Sequence, residues 1–165
     1  MSQSSLGMEQ MQYRTLGASG VKVSPLCLGT MMFGGATDEP TAGRIVAKAK
    51  EQGVNFIDSA DGYAGGKSEE VTGRAIGNQR HDWVLATKLG NQLSKRANHG
   101  GLSRKWVMQA AEDSLRRLGT DYIDIYYLHK EDHRRRWRRP FAPSATCSGR
   151  ARSATSASRT IAPGA

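Results

Sequence analysis

The chain has 165 residues, enough for one domain of ordinary size, and a formal net charge of +9. The charge is unevenly spread: all 15 acidic residues lie at or before Asp132, together with 16 of the 24 lysines and arginines. Residues 134–165 carry the other basic residues, all arginine, and no acid. The first 133 residues are therefore near neutral. The high net charge of the chain thus gives no reason to expect that this part binds nucleic acid.

Three further absences indicate the cellular setting. Cys27 and Cys147 are too few for a disulfide framework, which favours a reducing compartment. Residues 1–10 lack the basic and apolar regions of a signal peptide, and we interpret them as an N-terminal extension. No run approaches 18 apolar residues, so no membrane helix is expected. We therefore expect a cytoplasmic protein with no membrane partner.

Strand-like and helix-like segments alternate along the chain. Two short extended pieces flank a turn at residues 17–20, which predicts a hairpin. Three amphipathic segments with helix-start signals and a closing glycine follow: TDEPTAGRIVAKAKEQG, KSEEVTGRAIG and SRKWVMQAAEDSLRRLG. Apolar strands separate or follow them: VNFID, WVLATK and YIDIYYLH. The alternation predicts an α/β protein with a parallel sheet, either doubly wound or closed into a barrel.

Ionisable residues stand at the ends of three apolar strands. Asp58 closes VNFID, Lys88 closes WVLATK, and His129 closes YIDIYYLH. One such residue would most simply be a solvated start of a loop, but a charge there is costly to bury unless it is paired. In parallel barrels these strand ends form the rim on which active sites lie. Tyr63, on the loop after Asp58, can reach the same rim, so the four residues are a candidate site.

These four residue types suit the donation of a proton to a carbonyl oxygen. A tyrosine hydroxyl is a weak acid, but a nearby ammonium stabilises its phenolate form and a carboxylate holds the ammonium in place. A neutral imidazole can orient the carbonyl. Because no side chain donates hydride, a nicotinamide or flavin cofactor is required.

Several other motifs are incomplete. GGKS at residues 65–68 ends like a phosphate-binding loop, but Asp61 stands where its first glycine belongs, and no GxGxxG follows a strand. HKEDH has Lys130 where a zinc-binding helix needs glutamate, so we predict no metal. RRRWRR resembles an arginine-rich nucleic-acid segment, although an unselected basic tail explains it better.

The chain resembles the aldo-keto reductases, specifically their bacterial and potassium-channel-β-like branch. The segments that carry the resemblance run in family order over residues 11–133: YRTLGASGVKVSPLCLGTMMFGG, GVNFIDSADGYAGGKSEEVTGRAIG, WVLATK and SLRRLGTDYIDIYYLHKEDH. The resemblance implies the N-terminal half of a (β/α)8 TIM barrel, with a hairpin and about four βα units. It also implies NADPH as the cofactor and a small carbonyl compound as the substrate.

The resemblance gives each site residue a role. Tyr63 matches the proton donor, Lys88 the residue that activates it, Asp58 the carboxylate paired with that lysine, and His129 the imidazole that orients the substrate. The positions that match the family's cofactor-binding segment are Gly29, Thr30, Met31 and Asp58.

The resemblance stops at His133, and residues 134–165 read as a disordered basic tail. With suitable synonymous codons, residues 137–165 can be read one base earlier as LEETVRAIGDLLRAGKIRYFGVSNYRAWR. That string has the pattern of an amphipathic helix, a turn and a strand, which resembles what the family has next. We therefore interpret the tail as part of the same gene translated in a shifted reading frame.

Three hypotheses follow from this organisation. The first is an aldo-keto reductase with an incomplete NADPH site and little or no activity alone, because a whole barrel needs about 250 residues. The second is an enzyme assembled from two half barrels that self-associate through open sheet edges. The third is a non-enzymatic, basic nucleic-acid-binding protein that acts through its Arg-rich tail. We favour the first hypothesis, and we therefore expect no specific nucleic acid as a partner.

Overall fold

The computed structural model describes residues 11–131, so the predicted extension at 1–10 and the predicted out-of-frame tail at 134–165 lie outside it. The strands are β1 (Arg14–Thr15), β2 (Lys22–Val23), β3 (Cys27–Gly29), β4 (Phe56–Asp58), β5 (Val84–Leu89) and β6 (Ile125–Leu128). The helices are α1 (Glu39–Glu51), α2 (Lys67–Ile76) and α3 (Arg104–Leu118). Two 3-10 turns, Tyr63–Gly66 and Gly77–Asp82, were not predicted.

The strands form a small hairpin and a parallel sheet. β1 pairs antiparallel with β2, as predicted, and β3, β4, β5 and β6 pair in parallel in chain order. A doubly wound sheet reverses its strand order part-way, whereas a barrel adds each strand beside the previous one, so the order favours a barrel segment. The described residues hold three βα units and a fourth strand, where about four units were predicted.

Capping residues mark the observed ends of α1 and α3. The Asp38 side chain accepts a hydrogen bond of 2.9 Å from the Thr41 backbone N–H at the start of α1. Ser103 accepts one of 3.1 Å from the Trp106 N–H at the start of α3. Gly119 ends α3 with a φ of +64°, a left-handed conformation that glycine adopts without steric cost. None of the described helices is both long and apolar enough to cross a membrane.

The core lies between one face of the sheet and the helices. Ile57 in β4 and Leu85 and Leu89 in β5 are fully buried there. Because side chains alternate along a strand, Asp58 and Lys88 lie on the opposite face, which is the inside of a barrel. The neighbouring strand keeps this register, with Lys88 opposite Tyr127 of β6. The sheet therefore separates an apolar packing face from a polar, open one.

A buried ion pair joins α2, α3 and β5 behind the sheet. Glu69 is fully buried and accepts hydrogen bonds from Arg117 Nε at 2.7 Å and from Thr87 Oγ1 at 2.6 Å. Glu69 is also one of two acids in the first turn of α2, where an acid meets the positive end of the helix dipole. Removal of Arg117 would leave the fully buried charge of Glu69 without its ionic partner, which is costly.

Asp61, beside this pair, is a buried residue whose carboxylate oxygens have no hydrogen-bond partner among the described residues. Its exposed fraction is 2%. Burial, together with the nearby negative charge of Glu69, raises the pKa of Asp61 to about 6. The folded state therefore holds a proton on Asp61 more tightly than the unfolded chain does. The stability that this proton confers is complete below about pH 4 and is lost as the pH rises to about 6.

We expect Asp61→Asn to increase the free energy of unfolding by about 2 kcal/mol at pH 8, since it removes a buried, unpartnered charge. At pH 4, where the wild-type carboxyl is protonated, the two proteins should be nearly equal. Urea titrations at both pH values measure the difference, and Asp121→Asn, on an exposed residue, is the matched control. An equal gain at the two pH values would show that the charge of Asp61 is not the cause.

Candidate active site

Lys88 brings together three groups at the carboxyl end of the sheet. Its Nζ donates hydrogen bonds to Asp58 Oδ2 at 2.6 Å, to the Ser59 carbonyl oxygen at 2.6 Å and to the Tyr63 hydroxyl at 3.1 Å. An ammonium has three hydrogens and no lone pair, so these bonds use its whole capacity. The Lys88 side chain is 16% exposed, so this geometry is held in a partly desolvated position.

The loop after β4 carries Tyr63 back over the end of β5. Ser59 N–H donates to the Ala86 carbonyl at 2.9 Å and Asp61 N–H donates to the Lys88 carbonyl at 3.0 Å, which extends the pairing of the two strands. The chain then turns tightly, and Ala64 adopts a left-handed φ of 49°. That conformation is unfavourable for an alanine. The fixed loop therefore places the phenol beside the ammonium of Lys88.

His129 faces Tyr63 across the site. Its backbone N–H donates to the Leu89 carbonyl at 2.7 Å, directly after β6. The centroids of the His129 and Tyr63 rings are 5.9 Å apart, with the planes at 86°. Burial, and next the positive charge of Lys88, lower the pKa of the His129 imidazole. The ring is therefore neutral at physiological pH, the form that can hydrogen-bond a carbonyl oxygen.

The structure thus gathers Asp58, Tyr63, Lys88 and His129 into one cluster. Lys88 is the second-last residue of β5 and His129 follows β6, each within one residue of its predicted strand end. Sequence reasoning missed the Ser59 carbonyl, because backbone acceptors have no residue signature. It also missed Asn91, whose amide nitrogen lies 3.0 Å from His129 Nδ1.

The residues that match the family's cofactor segment lie in different environments. Gly29 ends β3 and is exposed, and no atom lies within 4 Å of the place where a Cβ would stand. Met31 is 59% exposed. Thr30 is fully buried, and its hydroxyl donates to the Asp58 carbonyl at 3.1 Å and lies 3.0 Å from the Ser68 hydroxyl. In this segment, Gly29 and Met31 therefore offer open surface and the Thr30 side chain does not.

A cleft of about 450 Å³ opens beside the cluster, on the inner face of the sheet. Its lining consists of Cys27, Phe56, Asp58, Lys88, Tyr127, Leu128 and His129. Partial burial, followed by the negative charge of Asp58, raises the pKa of the Cys27 thiol to about 11. The thiol is therefore protonated at neutral pH and is a poor nucleophile. Across residues 11–131, no group of three His, Cys, Asp or Glu side chains could hold a metal ion.

Comparisons with known proteins show which family the chain matches. The model of the Aldo/keto reductase family matches residues 25–141. The chain is 42% identical over 126 residues to "Probable voltage-gated potassium channel subunit beta" of Arabidopsis thaliana, covering 74% of this chain and 38% of that protein. It is 38% identical over 133 residues to "Aldo-keto reductase YhdN" of Bacillus subtilis, covering 74% and 39%.

A solved structure shows the same relationship. The aldo-keto reductase AKR11C1 from Bacillus halodurans (holo form) has 43% sequence identity and a TM-score of 0.63, and the match covers 72% of this chain and 40% of that one. The chain thus spans about two fifths of the length of the relatives it matches. Its parallel sheet is part of a TIM barrel, and the protein belongs to the aldo/keto reductase family.

Proposed function

We propose that this site reduces a small carbonyl compound with NADPH, and that Tyr63 donates the proton to the carbonyl oxygen. The hydrogen bond of 3.1 Å from Lys88 Nζ to the Tyr63 hydroxyl carries the proposal. In this bond the ammonium can only donate, so the tyrosine oxygen accepts and its own hydrogen stays available. A phenol that accepts from a cation and keeps a free hydrogen is suited to be a general acid.

The four site residues have different roles in the proposed reduction. A reduced nicotinamide, when bound, supplies the hydride that a side chain cannot. Tyr63 gives its proton to the substrate oxygen, and Lys88 stabilises the phenolate that this transfer leaves. Asp58, at 2.6 Å from Lys88 Nζ, balances the ammonium charge and keeps it directed at Tyr63. His129, being neutral, donates a hydrogen bond that orients the carbonyl.

The residues present fit the nicotinamide end of such a cofactor. The surface over Gly29 is open, since a Cβ there would meet no atom within 4 Å, and it adjoins Asp58, which pairs with Gly29 in the sheet. A flat ring can lie against a backbone that carries no side chain. Among residues 11–131 we assign none to the adenine or to the 2′-phosphate of NADPH. Because catalysis depends on positioning at the ångström scale, we propose that the chain alone turns over slowly.

The test is aldehyde-dependent oxidation of NADPH, followed at high protein concentration over many hours. The assay is repeated with the C-terminal part of the reductase from Bacillus halodurans added, to supply the barrel segments that the match does not cover. We expect slow turnover by the chain alone and a faster rate with the added segment. Rates equal to the protein-free blank in both assays would contradict the proposed function.

A second candidate is a site completed by a second copy of the chain. β3 and β6 are the outer strands of the described sheet, and Tyr127 of β6 is 39% exposed on its inner face. Open edges of this kind pair readily with another strand. If two copies complete the site, the specific rate should rise with protein concentration and a defined dimer should carry it. The Arg-rich segment of the nucleic-acid hypothesis lies outside the described residues, so that hypothesis stays a prediction from the sequence.

A further inference from the structure

We infer that Asn91 fixes the tautomer of His129, so that the single hydrogen of the neutral imidazole is on Nε2. Asn91 Nδ2 lies 3.0 Å from His129 Nδ1. An amide nitrogen can donate a hydrogen bond but has no lone pair to accept one, so Nδ1 must be the acceptor. A neutral imidazole has one N–H, which then stands on the other nitrogen. Asn91 is thus a positioning residue of this site.

Both partners of this hydrogen bond are held by the surrounding backbone. Asn91 follows Gly90, which has a left-handed φ of +119° and whose carbonyl accepts a hydrogen bond of 3.2 Å from Gly101 N–H. On its other side is Gly62, where a Cβ would stand at ordinary van der Waals distance, 3.6 Å, from Asn91 Nδ2. Gly62 directly precedes Tyr63. The amide therefore lies between the loop that carries the phenol and the ring that faces it.

The consequence for the reaction rests on the proposed function. With its hydrogen on Nε2, the ring can donate to the substrate oxygen that Tyr63 protonates. With its hydrogen on Nδ1, the ring would instead turn a lone pair toward the lone pairs of the carbonyl. Burial and the charges of Lys88 and Lys130 favour the uncharged ring. The ability of His129 to donate to the substrate therefore depends on which of its two neutral tautomers is present.

The tautomer can be measured without any turnover, by NMR of the ring nitrogens in the ¹⁵N-labelled chain at pH 8. The His129 signals are assigned as those lost in His129→Gln. We expect the wild-type chain to show an unprotonated Nδ1 and a protonated Nε2. A protonated Nδ1 in the wild-type chain would overturn the inference, and this result needs no variant of Asn91 to fold.

Two substitutions then test whether Asn91 is the cause. In Asn91→Asp the new carboxylate can only accept, so the hydrogen should move to Nδ1 and the two nitrogen shifts should exchange. In Asn91→Leu, which is similar in size but makes no hydrogen bond, the signals should move toward a mixture of tautomers. Asn78→Asp, an exposed residue, adds the same charge elsewhere and should leave the His129 signals unchanged. Unchanged His129 shifts in both Asn91 variants would overturn the inference.

The kinetic arm separates this inference from the proposed function. In the aldehyde assay, Asn91→Asp should lower kcat/KM by about tenfold, the scale of one lost orienting hydrogen bond, and should shift the pH profile. If the ring shifts are as expected and no reduction occurs, the proposed function fails while the assignment of the tautomer stands. If reduction occurs and Nδ1 is protonated, the assignment of the tautomer fails while the proposed function stands.

Discussion

Replacement of Tyr63 by phenylalanine should lower the rate of aldehyde reduction by about 10³-fold, within the range that a general acid contributes. The change deletes one oxygen and with it the only proton that we assign to the substrate. The phenyl ring can stay where it is, since the ring of Tyr63 already lies 5.9 Å from that of His129 and its centroid lies 4.7 Å from Lys88 Nζ.

The matched control for Tyr63→Phe removes a hydroxyl at a distance from the site. Tyr13 donates to the Gly53 carbonyl at 2.9 Å on an exposed part of the surface. Tyr13→Phe should therefore leave the rate unchanged. The affinity for NADPH should be the same in both variants, because neither hydroxyl is placed against the cofactor. A Tyr63→Phe protein that retains a rate within threefold of the wild type would exclude Tyr63 as the proton donor.

Replacement of Gly73 by alanine should lower the free energy of unfolding by roughly 3 kcal/mol. Gly73 lies inside α2, and a Cβ there would stand 2.2 Å from the carbonyl oxygen of Leu118, at the end of α3. The obstacle is backbone, which cannot rotate away as a side chain can. The two helices would have to separate, and the buried pair of Glu69 and Arg117 between them would be disturbed.

Gly43 in α1 is the matched control, because it is also a glycine inside a helix. Apart from the backbone of its own helix and its chain neighbours, no atom lies within 4 Å of its Cβ position. Gly43→Ala should therefore raise the free energy of unfolding by about 0.5–1 kcal/mol, the usual gain of alanine over glycine in a helix. Urea titrations of both variants measure the difference. If the two substitutions change stability in the same direction, the close approach of α2 and α3 at Gly73 is wrong.

These two glycines show where prediction from the sequence ends. Hydrophobic period, helix-start signals and a closing glycine located the helices, because these signals are local along the chain. Nothing local distinguishes Gly43 from Gly73, since only the packing of a distant helix decides which one tolerates a side chain. The burial of Glu69 could not be predicted either, because its partners Thr87 and Arg117 come from other elements.

The candidate site was more predictable than the packing around it. Polar residues at the ends of apolar strands are visible in the sequence, and the geometry of a parallel sheet brings such ends together. Those two facts suffice to predict that Asp58, Lys88 and His129 share one rim. The third acceptor of Lys88, the Ser59 carbonyl, and the partner of the His129 ring, Asn91, depend on the path of a loop. Loop paths follow from tertiary contacts that the sequence does not display.

The most direct test of the site follows hydride itself. The chain is incubated with NADPH that carries deuterium at the reactive position of the nicotinamide and with an aromatic aldehyde, and the alcohol is analysed by mass spectrometry. We expect an alcohol with one deuterium on the former carbonyl carbon, formed by the wild-type chain and by Tyr13→Phe but not by Tyr63→Phe. An alcohol without the label, or labelled alcohol formed equally by Tyr63→Phe, would contradict the proposed role of this site.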